Sequence, residues 1–498
     1  MFSPSGDIRW CSRPLAEFIA ASSVANGRQR RFTIVIGKLA PLSVLPTIQS
    51  LEKINPGVCS HSDRTDSIPA MKGIGQLGWI CLGLPLITAI LFHLERHPGS
   101  ALAQADAQPL PLRTFDRNLP LQTAQDTGGV SVGDLNGDGW LDIVLANGRH
   151  TSAYSRVLLN DGTGHFRSMN LGAKPARSFS AVLADIDGDG DLDIIVGNDW
   201  PDPKMIFKND GKGRFTDAGS WGAPTWHTRY VTIADLNGDG YPDIIAPNAG
   251  ASVPLPIHHP SYACLNDGHG RFPACMPLPA ESAVVIPVAD FDGDGALDML
   301  VPHREGGRSF VLWTDGKIAF SQTFADWVPH GNDGVRTPFR ERTFIGPQEM
   351  SVRVAAVGDF DGDGRPDFVV YDSSVKRTSV FLNSGGRSFR EAFTLPTGDR
   401  LPYTIAVADM NKDGRADIVV GYFNSEAFLK YRGAPSRGSV FFNQGRDRDF
   451  VEVPWNDGTG AVQQIAIGDM DKDGWPDIVA TFDRGAPSGI WFSTNPHR

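Results

Sequence analysis

Short apolar runs separated by polar, glycine-rich turns fill the chain from about residue 127 onward. Runs such as "SAVLAD" and "DIIVGN" have the length and β-branched content of strands. Between two such runs stands the turn "GDLNGDGWLD", Gly133 to Asp142, which recurs as "LADIDGDGDLD", "IADLNGDGYPD", "VADFDGDGALD", "VGDFDGDGRPD", "VADMNKDGRAD" and "IGDMDKDGWPD". The leading acids of the seven copies are spaced 51, 50, 55, 69, 50 and 60 residues apart. A second turn follows in "LLNDGTGHF", "FKNDGKGRF", "CLNDGHGRF", "LWTDGKIAF", "FLNSGGRSF" and "FFNQGRDRDF", and Asn-Asp-Gly between apolar runs predicts a β-hairpin. Each repeat therefore predicts strand, acidic loop, strand, variable loop, strand, hairpin turn and strand. Four strands in about 50 residues make one propeller blade.

The seventh copy stops at "GIWFSTNPHR", one strand short, while "LPLRTFDRN" before the first copy supplies an orphan strand. It places Phe115 where other repeats have Phe166, Phe215, Phe272, Phe320, Phe389 and Phe450. The expected fold is all-β: a seven-bladed β-propeller over residues 110–498 whose ring is closed by the N-terminal strand, which removes open sheet edges.

Acidic or amide side chains at positions 1, 3, 5 and 9 of a tight loop, with glycine at position 6, bring hard oxygens to one point. Calcium takes six to eight oxygens at about 2.3–2.6 Å, and without a cation the clustered carboxylates repel. An EF-hand begins the same way but needs Glu at position 12 and flanking helices; here position 12 is Leu145, Val196, Ala246, Val301, Val370, Val420 or Ala480, and the flanks are strand-like.

With its seven D-x-[DN]-x-D-G-x-x-D loops, the region 110–498 resembles the FG-GAP/VCBS repeat family, the calcium-loop propellers similar to the integrin α head. The resemblance implies up to seven Ca²⁺ ions, usually structural. It assigns their side-chain ligands to Asp134, Asn136, Asp138 and Asp142 in loop one and to Asp185, Asp187, Asp189 and Asp193 in loop two. Loop three contributes Asp235, Asn237, Asp239 and Asp243, and loop four Asp290, Asp292, Asp294 and Asp298. The remaining sets are Asp359, Asp361, Asp363 and Asp367; Asp409, Asn411, Asp413 and Asp417; and Asp469, Asp471, Asp473 and Asp477. Lys412 and Lys472 stand where the other loops have glycine, and a lysine beside an ion weakens its binding.

Composition adds little beyond this. The 55 Gly and 36 Pro fit a turn-rich β protein, and a formal charge of −11 argues against a nucleic-acid partner. Seven divalent ions would bring that charge to about +3, so the loops account for most of the acidity. Of five cysteines, Cys264 and Cys275 flank "LNDGHGRFPA"; they are expected either to form a cross-hairpin disulfide in an oxidising compartment or to remain two thiols.

The one sustained apolar run is "LGWICLGLPLITAILF", residues 77–92. Its length falls between a signal-peptide core and the ~20 residues of a membrane span. Ala101 and Ala103 suit a signal peptidase, and Met71 is a candidate start, so 71–103 is read as a signal peptide or a signal anchor near 77–94. Residues 1–70, read as disordered or as a start-site artefact, carry eight Lys and Arg against five Asp and Glu, which in a type II anchor would stay cytoplasmic. Both outcomes export the propeller, making it secreted or extracytoplasmic.

Loops between second and third strands and between blades project from the face opposite the acidic turns. They collect Arg149, His150, Tyr154, Trp200, Trp226, His227, Arg229, His258, His259, Tyr262, His303, Arg304, Tyr422, Tyr431 and Arg432, and the longest spacing adds Trp327, His330, Arg336, Arg340 and Arg342. Variable loops on a rigid scaffold are where binding resides. The candidate ligand-binding residues are Trp200, His227, Arg229, Trp327, His330 and Arg340. No nucleophile elbow or phosphate loop appears. The expected function is a calcium-stabilised binding or adhesion module for an extracellular glycan or protein. The alternatives are a propeller-based polysaccharide lyase or hydrolase with its site on the same face, and a scaffold in a cell-surface assembly.

Overall fold

The computed structural model describes the backbone of residues 17–26, 29–38 and 281, and in full residues 112–122, 125–249, 260–280, 282–304, 308–316, 342–347, 349–423, 437–445, 450–483 and 486–495. The chain divides into two units, 1–103 and 104–498. In the first, Glu17–Asn26 pairs antiparallel with Gln29–Lys38. The apolar run 77–92 and the expected signal-peptidase site at Ala101 and Ala103 lie outside the described residues. Among those described, no helix is long and apolar enough to cross a membrane.

The second unit consists of seven four-stranded antiparallel sheets. Blade one is Thr127–Gly133, Asp142–Asn147, Arg156–Asn160 and Phe166–Asn170, in that spatial order. Its second strand is buried along its whole length, so it reads as a continuous apolar run, whereas the fourth is half solvated. Blades two to six repeat the order, beginning at Ser178, Thr232, Val288, Val352 and Pro402. Blade seven takes three strands from Val462–Gly468, Asp477–Phe482 and Gly489–Thr494; its fourth is Thr114–Pro120, with Thr114 opposite Thr494 and Pro120 opposite Gly489.

Among the described residues seven apolar clusters form, one at each junction between neighbouring blades. One packs Val144 and Val157 of blade one on Ile194 and Val196 of blade two. Another packs Ile143 and Leu145 of blade one on Val479 and Ile490 of blade seven, so the apolar seams run round the whole ring. Phe115 lies buried in the seam between blades six and seven, where a phenyl ring contributes roughly 1.5–3 kcal/mol.

Near the axis the first strands approach closely. A Cβ on Gly129 would lie 2.7 Å from the Phe179 carbonyl oxygen, so this position admits only glycine. Polar ties supplement the packing: Val130 N–H donates to Gln464 Oε1 at 2.8 Å, and Ser131 Oγ to the Ala181 carbonyl at 2.7 Å. Cys264 and Cys275 face each other across the third and fourth strands of blade three and are disulfide-bonded.

Candidate functional site

Every acidic loop is folded around its first aspartate. In loop one Asp134 accepts N–H bonds from Gly137 at 2.8 Å and Gly139 at 2.7 Å; Asp185, Asp235, Asp290 and Asp359 do the same with their own two glycines. These glycines have φ between +73° and +93°, the left-handed region that lets successive N–H groups turn inward. Lys412 and Lys472 adopt the same conformation, at φ +56° and +55°. Their ammonium groups lie over the neighbouring blade's indole, Trp475 at 5.7 Å and Trp140 at 4.2 Å.

The carboxylates come together as a metal site requires. In four loops three acids can each bring one oxygen within 4.8 Å of the other two: Asp185, Asp187 and Asp193; Asp290, Asp292 and Asp294; Asp359, Asp361 and Asp367; Asp469, Asp471 and Asp477. In loops one, three and six position 3 is Asn136, Asn237 or Asn411, which offers an amide carbonyl instead. Asp187 and Asp469 each keep one buried oxygen without a hydrogen-bond donor. Hard oxygens at this spacing, some unsatisfied, fit Ca²⁺.

Position 9 has a second task. Asp142 is fully buried; its Oδ2 accepts the Leu135 N–H at 2.9 Å and its Oδ1 the Asn160 N–H at 2.8 Å, tying the acidic loop to the third strand. All seven position-9 aspartates make this pair of bonds, through Asp193, Asp243, Asp298, Asp367, Asp417 and Asp477. Burial pushes their carboxyls up, to about 6 in Asp142, Asp193, Asp243 and Asp367 and about 7 in Asp298, Asp417 and Asp477. The two N–H donors partly oppose this, and the neighbouring loop acids add to it.

The asparagine of the hairpin motif joins this network. Asn160 Nδ2 donates to the Leu141 carbonyl of its own loop and, at 3.2 Å, to the Met470 carbonyl of blade seven's loop. Asn209 reaches Leu135, Asn266 reaches Ile186, Asn383 reaches Phe291 and Asn443 reaches Phe360, each in the preceding blade. Thr314 and Ser493 hold the equivalent positions in blades four and seven. The sequence presents this asparagine as a turn former, and its role as a latch between blades is visible only in the fold.

Protein cations also meet the loops. Lys208 pairs with Asp187 at 2.5 Å, Arg387 with Asp292 at 2.7 Å and Arg415 with Asp413 at 2.7 Å; Arg365 pairs with Asp363, and Arg117 with Asp471. These contacts occur in five of the seven loops and offset part of the carboxylate repulsion.

On the opposite face the structure brings three of the predicted ligand-binding residues together. Trp200 is 54% exposed and its ring centre lies 6.2 Å from that of His227. One oxygen of Asp199 takes both His227 Nδ1 at 2.8 Å and Arg229 Nη1 at 3.0 Å. The Arg229 guanidinium in turn lies 4.1 Å from the Phe179 ring centre. Trp327, His330 and Arg340 lie outside the described residues, as do His258, His259, Arg336, Tyr431 and Arg432. Trp226 and Tyr262 stack at 4.0 Å in the seam between blades two and three, and Tyr422 is fully buried; these three serve packing and not a free surface.

The contacts continue from Arg229 to the axial mouth. Arg149 Cζ lies 5.6 Å from the Phe179 ring and 5.7 Å from the Tyr403 ring, and its Nη2 donates to the Tyr403 hydroxyl at 2.5 Å. Arg353 Cζ also lies over the Tyr403 ring, 3.9 Å from its centre. Tyr230 donates its hydroxyl to the Gln463 carbonyl at 3.1 Å, and burial pushes its phenol up to about 12. Beside the mouth a cleft of about 530 Å³ is lined by Asp126, Gly148, Tyr154 and Arg156. Phe179, Tyr230, Arg353 and Tyr403 were not singled out by the sequence, because they come from blades two, three, five and six with no common spacing.

Comparison with known proteins agrees with this architecture. Two pairs of overlapping segments, 134–196 with 185–246 and 290–370 with 359–420, match the FG-GAP-like repeat. The chain is 25% identical to cartilage acidic protein 1 of Homo sapiens over 303 residues, 56% of this chain and 41% of the relative. With the Mus musculus protein of that name it shares 27% over 227 residues, 41% and 33% of the two chains. With T-cell immunomodulatory protein of Homo sapiens it shares 23% over 381 residues, 66% and 56%. The chain spans less than two thirds of the length of each of these relatives.

Proposed function

The chain belongs to the FG-GAP-like repeat family, and on that premise we propose that its propeller is an extracytoplasmic binding module. Calcium in the acidic loops stiffens the ring, and the opposite face holds an extracellular glycan or protein. The observation that carries this reading is the continuous strip from the exposed Trp200 through His227, Asp199 and Arg229 to the axial arginines: an aromatic and cationic surface on the face the metal loops leave free. The Cys264–Cys275 bond and the word cartilage in two relatives' names support an exported protein, secreted or held by an anchor near residues 77–94.

In this reading the loop residues hold the ion and fix the hairpins, and the ion supplies only charge that the carboxylates lack. A second reading, a polysaccharide lyase or hydrolase, draws on one observation: Arg149 donates to the Tyr403 hydroxyl at the axial mouth, a pairing that could handle an acid group and a proton together.

Retention of the purified protein on immobilised glycans and candidate proteins, with calcium and with chelator, separates these readings when the same wells are assayed for released product. Calcium-dependent retention without product supports the binding module. Product release moves the activity to the enzyme reading, and absence of retention on every surface removes the binding reading.

A further inference from the structure

The axial mouth opposite the metal loops has a surplus of half-buried positive charge, with Arg149, Arg229, Arg353 and Arg304 set against Asp126, Asp199 and Asp483. Arg149, Arg229 and Arg353 arrive from blades one, three and five and stack on the rings of Phe179 and Tyr403. Two of the three have acidic partners: Asp199 is 3.0 Å from Arg229, and Asp126 is 3.7 Å from Arg149. Arg353 has no ion-pair partner among the described residues, and its Nε is buried without a hydrogen-bond acceptor; so is Arg149 Nε. Arg304 is a further cation in its surroundings.

A half-buried guanidinium without a carboxylate is costly unless a protein group or a solute answers it. Arg149 also holds a left-handed backbone at φ +40°, a strained state for a non-glycine residue that persists only where the surroundings enforce it. Planar guanidinium forks match oxyanions, which they bind through paired N–H donors.

We propose that the axial mouth binds the oxyanion group of an acidic polysaccharide, with Arg353 and Arg149 as its donors and Tyr230 and Tyr403 as its walls. The inference rests on the binding-module reading and names the ligand class. A polysaccharide is favoured over an acidic peptide by Trp200, whose exposed ring gives a flat apolar face at the far end of the same contact strip, suited to a pyranose ring. The oxyanion is a uronate carboxylate or a sulfate ester.

The experiment uses the full chain in calcium at matched ionic strength, since bulk screening would otherwise mimic release. Hyaluronan presents carboxylates alone, chondroitin sulfate adds sulfate esters, dextran is the neutral chain, and polyglutamate is the acidic peptide. Arg353→Met keeps an aliphatic chain on Tyr403 while removing the charge, and Arg271→Met alters an exposed arginine on the metal-loop side. Wild type and Arg271→Met are expected to bind hyaluronan or chondroitin sulfate at least tenfold more tightly than Arg353→Met does; which of the two is preferred identifies the group. Sodium glucuronate should raise the melting temperature of wild type above its value in sodium chloride of the same ionic strength, and should leave that of Arg353→Met unmoved. Equal affinity in wild type and Arg353→Met, or preference for polyglutamate, overturns the proposal. Retention of dextran that ignores Arg353→Met overturns it while sparing the binding module, whereas no retention of any polysaccharide removes the glycan reading with it.

Discussion

Asn160 donates its side-chain amide to the Met470 carbonyl at 3.2 Å, across the seam where the first and seventh blades meet. The two residues are 310 positions apart, yet the same bond recurs at four other seams. Blade stacking is thus specified by directional polar contacts as well as by apolar area.

Replacing Asn160 with Ala should lower stability by about 3 kcal/mol, because two buried carbonyls and the Gly162 N–H lose their partner. The complementary change, Thr314→Asn, should add about 1 kcal/mol by letting blade four reach the Leu236 carbonyl. Urea denaturation midpoints check both, and an unaffected Asn160→Ala would show that the latch contributes nothing.

Calcium and the position-9 strut should separate by mutation. Asp138→Asn, on an exposed loop position, should lower the melting temperature in calcium and change little in chelator. Asp142→Asn should cost about 2–4 kcal/mol in both, since the buried strut fails with or without the ion. Chelation of wild type should lower the melting temperature steeply, each site occupied at 100 times its Kd contributing about 2.7 kcal/mol. Scanning calorimetry of the three proteins in each condition decides the matter; identical wild-type curves in calcium and chelator would refute the metal assignment.

In metal-free protein, stability should decline as pH rises. The position-9 carboxyls have folded values of about 6 to about 7 against about 3.9 in an unfolded chain, so between those limits the folded state holds more protons. Their favourable contribution is complete below about pH 4 and is lost as pH passes about 7. Calcium should flatten this slope by meeting the ionised carboxylates. Denaturation at pH 5 and pH 7.5 after passage over chelating resin measures it, and greater stability at the higher pH would contradict the assignment.

Phe115→Ala should cost about 3–5 kcal/mol, the range for emptying a buried phenyl site, although residue 115 precedes every repeat. Deleting residues 112–120 should be worse, leaving the third strand of blade seven as an unpaired edge. Circular dichroism melts and light scattering report the two effects.

Blade number, strand order and the acidic loops were legible in the sequence because their signals are local: a nine-residue pattern, a hairpin dipeptide and a strand between them. The axial site was not. Arg149 and Arg229 were legible as loop cations, but Phe179, Tyr230, Arg353 and Tyr403 join them only when the ring brings the blades round an axis. Asn160 was half legible, since one residue type suits both the turn it was read for and the latch it also makes. Trp226, Tyr262 and Tyr422 carried the same aromatic signal as Trp200, and only burial distinguishes a packed ring from a presented one.

The pairing of Thr114 with Thr494 has a mechanical side. The strand entering the ring and the strand leaving it run antiparallel with these two residues at the loaded end. Tension applied across them would peel the pair apart one hydrogen bond at a time, unlike a shear load that all the bonds share. Under traction the ring would open first at blade seven, while the faces of the other six blades stayed unstrained.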